Sequence, residues 1–149
     1  MKKKLLLVVI LMGALFLTGC GNIEGSLEDI MAKVYANIPE NERPMMLMNT
    51  EINDENVEYF LGSKDIEYEE ALASESATGS IAHSVVLVRV KDNANVELIK
   101  EKIENSVNPR KWICVEADEV EVESKGNLII LIMSSEINAE KIETEFNKL

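Results

Sequence analysis

The sequence predicts an α+β domain: a four-stranded, mostly antiparallel sheet with packed helices, in the order α-α-ββα-ββα after a leader peptide. Three observations carry that prediction. The runs 81–90 and 128–133 are apolar on both alternating faces, the mark of strands covered on both sides. Apolar residues recur at helical spacing over 27–38, over 96–107 and after Asn138. Lys125-Gly126-Asn127 joins an alternating run to an apolar one, which reads as a hairpin.

Each element has its own local reason. Ser26 is an N-cap, and Leu27, Ile30, Met31, Val34 and Ile38 follow on one face until Pro39 ends the first helix. Residues 40–49 read as a loop or short buried turn, with Met45, Met46, Leu47 and Met48 as core filler ahead of the alternative of an adaptable Met-rich binding surface. Asn53 caps a short helix over 54–61, acidic residues favour its first turn, and Gly62 closes it. A strand over 66–76 turns at Thr78-Gly79-Ser80 into the doubly apolar strand 81–90. After a break at 92–95, a helix over 96–107 places Val96, Ile99, Ile103 and Val107 inward, and Pro109 closes it. Over 118–123, Val120 and Val122 alternate with Glu119, Glu121 and Glu123, a half-buried strand. Asn138 caps a last helix with Ala139, Ile142 and Phe146 inward. The two helices that follow the strands are expected on one face, with the first helix on part of the other.

The leader is a separate unit. Lys2, Lys3 and Lys4 precede an apolar run over 5–17, and then comes Leu17-Thr18-Gly19-Cys20. A charged start, a short apolar core and small residues before a cut describe a secretory signal. A membrane-spanning helix needs about 20 apolar residues, more than this run supplies. The four residues ending at Cys20 resemble the lipobox of bacterial lipoproteins. That resemblance implies cleavage between Gly19 and Cys20 and a diacylglycerol, with its palmitate-type chains, on the Cys20 sulfur. The domain division is then 1–19 signal peptide, 20–25 lipidated cysteine and short tether, and 26–149 one α+β domain.

Composition narrows the function classes. The chain has 15 basic and 27 acidic side chains, a net charge of −12, which argues against nucleic acid as a partner. Of its 149 residues, loss of the first 19 leaves 130, with 12 basic against 27 acidic side chains, or −15. One histidine and two cysteines leave little for a transition-metal site or a disulfide scaffold. With Cys20 lipidated, Cys114 is the only thiol, and among Trp112, Ile113 and Val115 it reads as a buried structural cysteine.

The lipobox, the opening helix and the short helix ending in Gly62, the run from Ser80 to Asp92, and the helix Val96 to Val107 with the strand segment Lys125 to Ser134 together resemble a family of small lipoproteins. These come from clostridia and related Gram-positive bacteria and are catalogued as a domain of unknown function, number four-three-five-eight. The resemblance spans about 27–135 and implies an exported, lipid-anchored α+β domain; it implies no mechanism. The pattern differs at His83-Ser84, where family members carry an acidic residue, and over 108–116, which is short here.

No catalytic constellation stands out. His83 is the sole imidazole, and Ser84 beside it on a strand points to the opposite face, so they make no dyad. His83 reads as a solvent-facing or hydrogen-bonded strand residue. No calcium loop, P-loop or nucleophile elbow occurs. Arg110-Lys111-Trp112 is the one basic-aromatic spot and the candidate interaction surface, against the plainer reading of a connecting loop with Trp112 tucked against the core. The expectation is a non-catalytic binding domain, without metal or cofactor beyond the lipid on Cys20. It is held at the outer leaflet of the cell membrane and meets an envelope protein or ligand through a sheet edge or an uncovered face. The alternative is a small carboxylate-based enzyme or ligand-binding lipoprotein with a pocket lined by Glu67, Glu69, Glu119 and Glu121. A third reading is self-association through the doubly apolar strands.

Overall fold

The computed structural model describes residues 21–149. Its elements, in chain order, are α1 (Leu27–Val34), β1 (Leu47–Glu51), α2 (Val57–Leu61), β2 (Glu70–Ser76), β3 (Ser84–Arg89), α3 (Val96–Ser106), β4 (Glu119–Lys125), β5 (Leu128–Ser134) and α4 (Glu136–Phe146). The strands form one five-stranded sheet in the order β1-β2-β3-β5-β4, and every neighbouring pair is antiparallel.

The centre of the sheet is β3 paired with β5, in the register Val85↔Ile132, Val86↔Leu131 and Leu87↔Ile130. Alternation sends Val86, Val88, Ile129, Leu131 and Met133 to one face, where they meet α2, α3 and Trp112. Val85, Leu87, Leu128, Ile130 and Ile132 go to the other face, where they meet α1 and α4. Two apolar faces need two covers, so the domain is a three-layer sandwich. The expectation that α3 and α4 share a face is therefore corrected. α3 returns the chain from β3 to β4 across β5 on one side, and α4 follows β5 onto the other.

The four-strand expectation is also corrected. Leu47–Glu51, placed in a loop from sequence, is an edge strand with Leu47 opposite Ser76 and Glu51 opposite Leu72. As an edge strand it buries little, so it lacks the apolar alternation that marks the central strands. The methionines read as core filler are solvent-facing: Met45, Met46 and Met48 are all exposed. Boundaries shift elsewhere for local reasons. Asn53 and Asn56 close a turn on each other, with Asn53 N–H donating to Asn56 Oδ1 at 2.8 Å, so α2 begins only at Val57. Ser135, in an extended conformation, begins α4 before Asn138. Ser26 caps α1 as expected, accepting from Asp29 N–H at 3.1 Å.

Gly62 ends α2 at φ 80°, and a Cβ there would lie 2.1 Å from the Ser106 carbonyl oxygen at the end of α3. The packing of α2 against α3 thus requires glycine on both backbone and steric grounds. Gly62→Ala is expected to lower unfolding free energy by about 2 kcal/mol or more, measured by urea denaturation.

Candidate functional site

Three constellations lie outside the two apolar cores. The first is at the start of the described chain, where residues 21–25 lie docked on the domain. Asn22 Nδ2 donates to Asp92 Oδ1 at 2.7 Å, and Ile23 N–H donates to Asn127 Oδ1 at 3.0 Å. Arg89, at the end of β3, donates to the Gly25 carbonyl at 2.7 Å and the Ile23 carbonyl at 3.3 Å, and pairs with Glu70. Gly126, at φ 59° in the β4–β5 turn, comes so close that a Cβ would sit 2.4 Å from the Gly21 carbonyl oxygen. The segment read as a tether is a strap on the β4–β5 turn. Gly19 and Cys20, the predicted cleavage and lipidation residues, lie outside the described residues.

The second constellation is at the opposite end of the sheet. His83 is buried, with Nε2 2.6 Å from the Tyr35 hydroxyl and Nδ1 2.7 Å from Ser134 Oγ. These residues come from the end of α1, the entry to β3 and the end of β5. His83 and Ser134 lie under a cleft of about 320 Å³, whose rim includes Pro44, Asp118 and Asn138. Burial raises the Tyr35 pKa, against smaller opposite effects of a Ser74 hydrogen bond and the Arg43 charge. The phenol therefore stays protonated, and with both Ser74 and Nε2 beside its hydroxyl the direction of the two His83 hydrogen bonds follows the imidazole tautomer. Burial also lowers the His83 pKa to about 4, with Glu75 pulling weakly the other way. Both ring nitrogens of His83 are hydrogen-bonded, so Tyr35, His83 and Ser134 form a satisfied buried polar network that ties α1, β3 and β5 together. Ser84 points to the other face, as strand geometry requires, and meets Lys111 Nζ at 3.2 Å.

The third constellation surrounds Lys111. Its side chain is 5% exposed and its ammonium pairs with Glu75 at 2.5 Å. The same ammonium lies 4.3 Å from the Tyr59 ring centre, 4.9 Å from Phe60 and 5.2 Å from Trp112. Tyr59 donates its hydroxyl to the other Glu75 oxygen. Burial lowers the Lys111 pKa, and Glu75 opposes that shift by hydrogen bond and charge. Cation–π contacts and a short ion pair replace the lost water. Of the three residues read as an interaction surface, Lys111 and Trp112 therefore face inward: the cage compensates the Lys111 charge, and Trp112 packs its ring into the core with its indole N–H unpaired. Arg110 is exposed and pairs with Glu116 at 3.1 Å. Cys114, expected to be buried, is exposed: it sits in a left-handed bend at φ 61° just after Trp112 has taken the inward position.

The carboxylates proposed for a shared pocket do not converge. Glu119 and Glu121 are on β4 and Glu67 and Glu69 precede β2, with β3 and β5 between the two strands. At about 4.8 Å per strand the two groups are separated by about 14 Å. Burial, then Glu143 and the neighbouring β4 glutamates, raise the Glu121 pKa. Among the described residues, no group of three or more His, Cys, Asp or Glu side chains is placed to hold a metal ion. No described helix is long and apolar enough to cross a membrane. No protein-family model, curated protein or solved structure matches the chain.

Two measurements test these sites. His83 has its pKa depressed in the fold, so the unfolded chain binds more protons between pH 6.5 and about 4. Stability should be full above pH 6.5 and fall by ~3 kcal/mol through that window, and His83→Gln should flatten this part of the pH–stability curve. Lys111→Met leaves Glu75 without its cation and should cost about 3 kcal/mol in denaturant unfolding, whereas the double change with Glu75→Leu should recover much of that loss.

Proposed function

We propose that this chain is an exported lipoprotein, anchored by a diacylglycerol on Cys20, whose folded domain is a non-catalytic binding module at the outer leaflet of the cell membrane. The carrying observation is Leu17-Thr18-Gly19-Cys20 after a lysine-rich start and a short apolar run. Membership in the clostridial lipoprotein family that the sequence resembles is part of the same proposal. The charge supports a covalent attachment. A domain with 12 basic and 27 acidic side chains is repelled by an anionic bilayer within a Debye length of about 8–10 Å. The binding assignment is supported by the separation of the acidic groups and by the burial of His83, the sole imidazole, in a hydrogen-bonded network with Tyr35 and Ser134. With both faces of β3 and β5 buried, sheet edges and sheet ends are the surfaces left for contact.

Metabolic labelling with an alkyne fatty acid, followed by membrane fractionation, tests the anchor. The wild-type protein should carry the label and sediment with membranes. Cys20→Ala should carry none and should not be processed to the mature length. An unlabelled wild-type protein, or a Cys20→Ala variant that is processed and membrane-bound, contradicts the proposal.

A further inference from the structure

We infer that the end of the sheet opposite the strap is a docking surface for a protein partner whose contact patch is apolar and rimmed by lysine or arginine. The inference rests on the lipid anchor proposed above, which turns this end away from the bilayer. The strap holds residues 21–25 to Asp92, Asn127 and Arg89, all at one end of the strands. Strands of this length span about 20 Å, so the other end stands that far from the anchored one.

Exposed apolar side chains are unevenly divided between the two ends. Of the eight large exposed apolar side chains among the described residues, seven lie toward the end away from the strap: Met45, Met46, Met48, Tyr59, Ile113, Val120 and Ile137. Val120 stands on the far edge strand from Met48, while the segments of Met45, Met46 and Ile113 are tied together through the β2–β3 connection. The Met45 carbonyl accepts from Ser76 Oγ at 2.7 Å, and the Met46 carbonyl accepts from Ala77 N–H at 3.0 Å. Ile113 N–H donates to the Gly79 carbonyl at 2.8 Å. Across the same end, Pro44 and Asn138 line one cleft beside Ile137. The patch also holds both non-glycine residues in the left-handed region, Met46 at φ 54° and Cys114 at φ 61°. An exposed apolar surface of this kind gains by being covered, and unbranched methionine adapts to a partner's shape.

Charge selects the partner. Glu40, Asp118 and Glu136 are exposed around this end and take part in no ion pair among the described residues. Of the basic residues toward this end, Lys33 in the last turn of α1 is exposed and in no ion pair among the described residues, and the others are engaged within the domain. Arg43 donates to the Ile38 and Tyr35 carbonyls, and Arg110 pairs with Glu116. An apolar centre with an acidic rim fits an apolar centre with a basic rim. A second copy of this chain would bring the same acidic rim, so self-pairing is opposed.

The test is photo-crosslinking on intact cells making the full chain, with p-benzoylphenylalanine in place of Ile113, Ile137 or, at the strap end, Leu98. Ile113 and Ile137 should give adducts to one and the same protein, with the crosslinked peptide lying beside lysine or arginine, and Leu98 should not. Asp118→Lys combined with Glu136→Lys should cut the adduct at least tenfold, while Glu101→Lys near the strap should leave it unchanged. Equal labelling from Leu98, insensitivity to the charge reversal, an adduct only to a second copy of this chain, or no adduct from a membrane-bound protein overturns the inference. Failure of the anchor alone is distinguishable, since the adduct would then persist on a protein recovered outside the membrane fraction.

Discussion

Strands β3 and β5 are a ladder whose side chains are taken out of water on both sides. Val85 to Val88 and Leu128 to Met133 have no measurable exposure. Each such side chain contributes about 1.5–3 kcal/mol of burial, and a strand gains that on both faces only if a layer covers each. The rest of the architecture follows from this demand. α2, α3 and the stretch holding Trp112 close one side, and α1 with α4 closes the other. β2 and β4 flank the central pair, and β1 extends the sheet at the rim, where burial is incomplete and exposed methionine is tolerated.

With both faces closed, chemistry is confined to the ends and edges of the sheet. The strap occupies one end. The other gathers loops, the start of α4 and the buried hydroxyl–imidazole network of Tyr35, His83 and Ser134. That network fixes α1, β3 and β5 to one another below the cleft, and the caged Lys111 does the same for α2 and the stretch after α3. Neither needs a ligand to be satisfied. These buried polar groups give this end of the sheet a hydrogen-bonded floor, beside which Met45, Met46 and Ile113 are exposed.

What was legible in the sequence was whatever repeats along the chain. The doubly apolar strands, the helical faces of α1 and α3, the β4–β5 hairpin and the capping role of Ser26 were all readable from periodicity and turn chemistry. β1 was not, because an exposed edge strand has no apolar alternation to display. The cage around Lys111 joins α2, β2 and the stretch after α3, and no local pattern announces contacts at such separations. The pairing of His83 with Ser134 is hidden for the same reason, since the partner 51 residues away was not the adjacent Ser84. The docking of residues 21–25 depends on Arg89 and Asn127, whose roles appear only once β3 and the hairpin turn are side by side.

Under the proposed lipid anchor, orientation of the domain at the membrane hangs on the strap, and one amide reports on it directly. Ile23 N–H is bonded to the Asn127 side chain at 3.0 Å. Hydrogen exchange on the mature lipoprotein in lipid nanodiscs, resolved at this amide, distinguishes a docked strap from a loose tether. Exchange at Ile23 slowed well below the rate of an unstructured peptide, and restored to that rate by Asn127→Ala, is the result expected here. Exchange at the unstructured rate in the wild-type protein would mean that the domain swings freely on its anchor and that no end of it is preferentially presented.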